Sequence, residues 1–282
     1  PEYEVPGPLS TDAPGPGADL RDRDFVDADL SGIDLSGADL RRANFAHAKL
    51  RGAKLTGAKL GWTILHCADL TGADLTGADL SLANAGYAKL DDATLRGAKL
   101  TEAFFEGASF QRADLEEIDA EYAVLSEADL TGASVRKARL DHADLAKAKL
   151  EGAFMQEMSA NRALFSGCLA SKAQLGSASL VQASFADADL TRASFVGARA
   201  AKAFFERATL DHADLSHASL VGAHLTSARA FRTRFFGTDL KEVRGYRADL
   251  AHADLTRSNL HGADLRKAHI EGTHFNQANM FE

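Results

Sequence analysis

The stretch "CADLTGADLTGADL", residues 67–80, repeats every five residues. That period fits neither regular element. A helix buries residues at a spacing near 3.6, and a half-buried strand at a spacing of two. The repeat is not local. From Leu20 to Met280, every residue number divisible by five marks the centre of a unit. Of these 53 centres, 42 are Leu or Phe, and 42 have Ala two residues earlier. The residue just before the centre is often Asp, Asn, Lys or Ser, and the one two after it is often Gly. No insertion or deletion breaks the frame, so the stretch predicts one continuous architecture rather than a string of domains.

Units such as "ADLTG", "ADLSG", "AKLRG" and "ANFAH" resemble the pentapeptide repeat family, whose motif is A(D/N)LXX. The resemblance runs from Ala18 to the C-terminus. It implies an all-β fold, a right-handed quadrilateral parallel β-helix in which each unit forms one side. Four units would close one coil, giving a solenoid of about 13 coils with no frame-breaking loops. At ~4.8 Å per coil the rod would be roughly 60 Å long.

Elementary packing agrees. Two inward residues in five, one small and one large, let a chain turn tightly around a narrow core. Gly near the corners suits backbone angles that other residues resist. Stacked coils satisfy one another's backbone groups. Burial of Leu and Phe at ~2 kcal/mol each opposes the cost of ordering the chain. Where a centre shrinks, the other inward residue grows. Ala120 accompanies Ile118, Ala160 Met158, Ala170 Cys168, and Gly245 Val243. That is conservation of volume within a layer. Ala85, Ala200 and Ala230 lack this compensation, and Tyr87 and Phe231 are candidates to fold over thin layers.

All five prolines lie in residues 1–17, "PEYEVPGPLSTDAPGPG". This segment reads as a linker or N-terminal arm, with the β-helix spanning 18–282. At the far end "NQANMFE" stops almost in mid-pattern with no clear capping helix, which would leave an open coil edge.

A repeat of 20 sorts the outward residues into stacks. One runs Asp39, Lys59, Asp79, Lys99, Asp119, Arg139; another runs Asp29, Lys49, Asp69, Lys89 and resumes at Asp129 and Lys149. Their alternating signs predict ladders that hold register, each exposed pair contributing ~0.2–1 kcal/mol. A third stack is apolar: Ile64, Phe104, Val124, Leu164 and Phe204, interrupted by Asn84, Asp144 and Ser184. The adjacent corner carries Trp62, Leu82 and Tyr122. Together these eight apolar residues predict a contact strip along one edge.

The remaining chemistry is bland. A net charge of -8 argues against direct nucleic-acid or anionic-membrane binding. No apolar run approaches the roughly 20 residues of a membrane span. Seven histidines fall in the last 71 residues but spread over different faces, so no metal site is expected. Cys67 and Cys168 are too far apart along the rod for a disulfide; Cys168 reads as core and Cys67 as a corner residue. No phosphate loop, HExxH or GxSxG occurs, and abundant Asp at a structural position carries no catalytic signal. No enzyme activity, cofactor or catalytic residue is expected. The first functional expectation is a non-catalytic scaffold that offers the apolar strip to a protein partner. A homodimer through the strip or an open coil end is a second use of the same surfaces. The alternative comes from the resemblance: one branch of the family mimics DNA, binds DNA gyrase and protects it from quinolones or related toxins. The alternating charges and the lack of loops speak against that branch. The expected location is the cytoplasm, with a dedicated secretion system as the other route.

Overall fold

A computed structural model describes residues 13–281. Every five residues the second residue of a unit, the Asp of ADLTG, makes one parallel β-bridge to the residue 20 further on. The bridges form four ladders, which define four sides. Side 1 runs from Asp19 to Asn279, side 2 from Asp24 to Asp264, side 3 from Asp29 to His269, and side 4 from Asp34 to His274. The chain is thus a β-helix with a repeat of 20 residues. Each side contributes a single bridge per turn, flanked by corners; among the described residues no bridge extends into a longer strand.

The backbone ledger explains the motif. The unit Ala68–Gly72 shows it. Leu70 N–H donates to the carbonyl of Lys89 one turn on at 2.7 Å, and Gly72 N–H to that of Asp91 at 2.9 Å. Asp69 N–H donates back to Ala48 at 2.9 Å. Ala73 N–H closes the corner onto Leu70 at 2.9 Å. Only the fourth N–H, that of Thr71, has no backbone acceptor. The Asp69 carboxylate takes it, at 3.1 Å, and takes the Thr71 hydroxyl as well. A short acceptor side chain at the second position therefore satisfies the one donor the coil leaves over.

The fifth residue of each unit turns the corner with φ near +60°. Glycine serves at Gly72 and Gly77, but among the described residues 36 that are not glycine adopt the same left-handed conformation. None of those 36 is Val, Ile, Thr or Ala. Branching at Cβ crowds this conformation most, which accounts for the missing Val, Ile and Thr. The absence of Ala, in a chain this rich in it, has no such steric account.

The first and third residues fill the core, from Leu20 to Leu260. The compensating side chains Ile118, Met158, Cys168 and Val243 are all buried, as the volume argument requires. At Gly245 a β-carbon would stand 2.7 Å from Leu265 Cδ2, so Leu265 occupies the missing side chain's space. Tyr87 does not fold over the layer of Ala85. It stays on the surface, its ring against Gly107. Phe231 sits between the rings of His212 and His252. Where Thr replaces the inward Ala, its hydroxyl is satisfied: Thr233 donates to Leu210 O at 2.6 Å and Thr238 to Leu215 O at 2.7 Å.

The arm expected at 1–17 falls mostly outside the described residues. Gly17 already joins the first turn, its N–H donating to Ser36 O at 2.8 Å.

Candidate interaction surface

The apolar stack predicted from the period of 20 is side 2. Its bridges run Ile64 to Asn84, Asn84 to Phe104 and Phe104 to Val124, and continue through Asp144, Leu164 and Ser184 to Phe204. The exposures divide the eight predicted residues. Trp62, Ile64, Phe104, Tyr122 and Leu164 are exposed, at 57, 41, 51, 54 and 46%. Leu82, Val124 and Phe204 are half-buried. The ring of Phe204 lies 4.8 Å from that of His224, which reduces what it shows to solvent.

The corner residues are held outward by their backbone. Trp62, Leu82 and Tyr122 all have φ near +60°, at the corner just before side 2. Tyr122 stacks on His142 one turn on, with ring centroids 4.7 Å apart. The opposite corner of side 2 carries Tyr87, 54% exposed, which the sequence reading left out of the strip. Its residue number modulo 20 was the available signal. Beyond Phe204 the same edge becomes a shallow groove lined by Lys202, His224, Arg244 and Tyr246, with Gly222 and Gly262 at its corner.

The charge stacks on the other sides only partly form the expected ladders. On side 3 Lys49 meets Asp29 at 3.6 Å and Lys149 meets Asp129 at 3.7 Å. On side 1 Arg139 meets Asp119 at 3.3 Å. Other acids are taken within their own unit. Arg41 holds Asp39 at 2.7 Å, and the Ser81 N–H and hydroxyl hold Asp79. Ion pairs also run up the corners, as in Arg112 to Asp92 and Arg207 to Asp187.

Sequence reasoning missed a second way of satisfying the fourth N–H. Where the fourth residue is itself Asp or Asn, its side chain reaches the next turn. Asp91 accepts from Gln111 N–H at 2.9 Å, Asp141 from Asn161 at 2.7 Å, and Asn161 from Val181 at 2.9 Å. In each case the second residue of the receiving unit is Ser, whose hydroxyl joins the same acceptor. The Asp-to-Ser change at Ser109, Ser159 and Ser179 was the sequence signal.

The two cysteines sit where expected. Cys67 turns a corner with φ +56°. Cys168 is buried, and burial, helped by the nearby Asp189 carboxylate, pushes its thiol up to about 12.

The family model for pentapeptide repeats (8 copies) matches residues 24–61, 63–85, 88–126, 122–167, 161–197, 171–207, 188–226, 205–241 and 246–280. The chain belongs to the pentapeptide repeat family. Members of this family fold as right-handed β-helices, in accord with the bridges above. The chain is similar to the crystal structure of HetL, a pentapeptide repeat protein involved in heterocyst differentiation regulation in the cyanobacterium Nostoc sp. strain PCC 7120. Identity is 29% over 90% of each chain, with a TM-score of 0.29. It is also similar to QnrB1, a plasmid-mediated fluoroquinolone resistance protein, at 20% identity over 64% of this chain and 90% of that one, TM-score 0.44. A third similar structure is a pentapeptide repeat protein of the Arabidopsis thaliana thylakoid lumen, 39% identical over 36% of this chain and 68% of that one, TM-score 0.25. A comparison with curated proteins finds no match.

Proposed function

We propose that this pentapeptide repeat chain is a non-catalytic scaffold, a rod of square cross-section whose side 2 docks a protein surface. The observation that carries this reading is alignment. Single exposed apolar side chains are ordinary on any protein. Here Ile64, Phe104 and Leu164 lie on one bridge ladder, and Trp62 and Tyr122 on the corner beside it, all exposed. Ile64 and Leu164 are five turns apart, a strip of roughly 24 Å. The side chains project from a backbone fixed by bridges on every turn, so docking orders little beyond side chains, which favours affinity.

The test replaces Trp62 and Phe104 together by Lys. Both are surface residues, so the far-ultraviolet circular dichroism of the β-helix should persist while a captured partner is lost. Equal recovery of the same partner by both forms overturns the assignment.

A gyrase-binding DNA mimic is the second reading, and its support is the net charge of -8. A mimic of duplex DNA needs a continuous negative stripe. Cations instead pair with carboxylates on side 1 at Arg139, on side 3 at Lys49 and Lys149, and on side 4 at Arg234, which meets Asp214 at 3.2 Å. A supercoiling assay with purified gyrase, with and without a fluoroquinolone, decides between them. Protection or inhibition at low micromolar protein would put the mimic first.

A further inference from the structure

We propose that the occupant of side 2 is side 2 of a second copy, the two rods antiparallel, related by a twofold axis that crosses them between the turns of Val124 and Asp144. The inference rests on the reading of this side as an interface and names its partner.

An axis lying across the rod reverses the order of turns and brings each corner against the same corner of the other copy. In this register Ile64 faces the partner's Phe204, Phe104 faces the partner's Leu164, and Asn84 faces the partner's Ser184. Apolar thus meets apolar and polar meets polar along the ladder. At the corner, Glu102 meets the partner's Arg162, and Trp62 meets the partner's Lys202, a cation over an indole face. Toward the ends Asp24 meets the partner's Arg244. Opposite charges across a contact fix its register. Val124 against the partner's Asp144, beside the axis, is the one mismatch on the ladder; at the corner Asp22, which Arg42 holds at 2.7 Å in its own chain, faces the partner's Glu242.

The state of these charges within one chain supports the pairing. Sides 1, 3 and 4 carry ion pairs along the rod, at Arg139 to Asp119, Lys49 to Asp29 and Arg234 to Asp214. Among the described residues, Asp24, Glu102, Arg162 and Arg244 make no ion pair, and all four are exposed. The Arg162 guanidinium reaches only the Gln182 amide oxygen, at 2.9 Å. A second copy supplies each of them with an opposite charge.

Other arrangements do worse. Parallel rods about an axis along their length would set Asp144 against Asp144 and Arg244 against Arg244. Moving the antiparallel axis one turn toward the N-terminus still faces Ile64 with Leu164 and Phe104 with Val124. It also sets Phe204 against Asp24 and leaves Arg244 without a facing residue. The length suffices. Eleven steps of 20 residues separate Asp24 from Arg244. At ~4.8 Å per step that is roughly 53 Å. A contact band about 15 Å wide then covers the roughly 800 Å² per partner of a standard interface.

The experiment is sedimentation velocity of the full chain over about 1–100 μM, with circular dichroism as the check on fold. The wild-type chain should sediment as a dimer and Phe104→Lys as a folded monomer. Glu102→Arg, which makes two like-charged contacts per dimer, should weaken the dimer about tenfold, and Glu102→Arg with Arg162→Glu should restore it to within about threefold. In a Cys67→Ser background, Phe104→Cys with Leu164→Cys should give disulfide-linked dimers under mild oxidation. Cross-linking of Ile64→Cys with Leu164→Cys instead would overturn the register. So would a dimer that neither pair captures or that Phe104→Lys leaves intact. A wild-type monomer at 100 μM overturns the self-pairing. If that monomer still loses a captured protein on Trp62→Lys with Phe104→Lys, the docking role of side 2 stands without it.

Discussion

The ring of Tyr87 lies across Gly107, one turn on: a β-carbon at Gly107 would stand 2.6 Å from Tyr87 Cε1. Gly57, likewise the fifth residue of its unit but at the corner after side 4, has φ +63° and nothing within 4 Å of such a carbon. The two glycines separate backbone strain from crowding. Gly57→Ala should cost about 1–2 kcal/mol, the left-handed penalty alone. Gly107→Ala should cost more, because the Tyr87 ring must move, and Tyr87→Ala should bring its cost back to that of Gly57→Ala. Urea midpoints measure all four. Equal costs for the two glycine variants would mean the ring is not held there.

Acid should weaken the rod along its length. The Thr76 hydroxyl, then its backbone N–H, hold the Asp74 carboxylate below its ordinary value of 3.8 against the opposing effect of burial. Ser31 does the same for Asp29. Arg21 holds Asp19, and Arg266 holds Asp264, at about 2. A carboxylate whose folded value lies below its unfolded value contributes stability above the unfolded value and loses it as pH falls through the folded one. The thermal midpoint should therefore be flat above about pH 5 and fall between about 4 and 2. Thr76→Val should cost about 0.5 kcal/mol at pH 7, the low end for a hydrogen bond because the pair is part-exposed, and less as pH falls and the carboxylate is protonated. A loss that does not shrink with falling pH would place the effect in packing instead.

The frame was legible because it is a packing rule repeated without interruption. One small and one large inward residue recur every five positions, and no other element buries that period. The stack of Ile64, Phe104 and Leu164 was legible for the same reason, since a fixed repeat of 20 converts residue number into position on the rod. What the period does not carry is contact between neighbours on the surface. It cannot say that the His224 ring half-covers Phe204, or that Arg41 keeps Asp39 for its own unit instead of leaving it to Lys59. Nor does Gly at "often" the fifth position reveal that Trp62 and Tyr122 share its left-handed backbone. The absence of β-branched residues there was the better signal. Asp91, Asp141 and Asn161 were missed because their acceptors serve the next turn, 20 residues away.

The two thiols should react at very different rates. Cys67 is at a corner and half-exposed, whereas Cys168 is in the core with its thiol pushed up to about 12 by burial. At pH 8 almost none of Cys168 is thiolate, and the thiolate is the nucleophile. Ellman's reagent should titrate one thiol per native chain and two in denaturant. A second fast thiol in the native protein would show that the turns around Cys168 open readily.

The paired core substitutions offer the sharpest test of how the layers are filled. Ile118 and Ala120 are both buried, as the first and third residues of a single unit. In the motif the small residue comes first and the large one second; here the order is reversed. If both positions fill one layer, Ile118→Ala alone leaves a void and should cost about 2–5 kcal/mol. Ala120→Leu alone overfills the layer and should cost about 1–3 kcal/mol. Together they restore the common Ala-x-Leu unit and should cost far less than either sum, with a coupling of a few kcal/mol. Residues that fill separate spaces give additive costs. An additive result from urea midpoints would mean that the two positions do not exchange volume, and that Ile118 is retained for a contact with the turns above and below it.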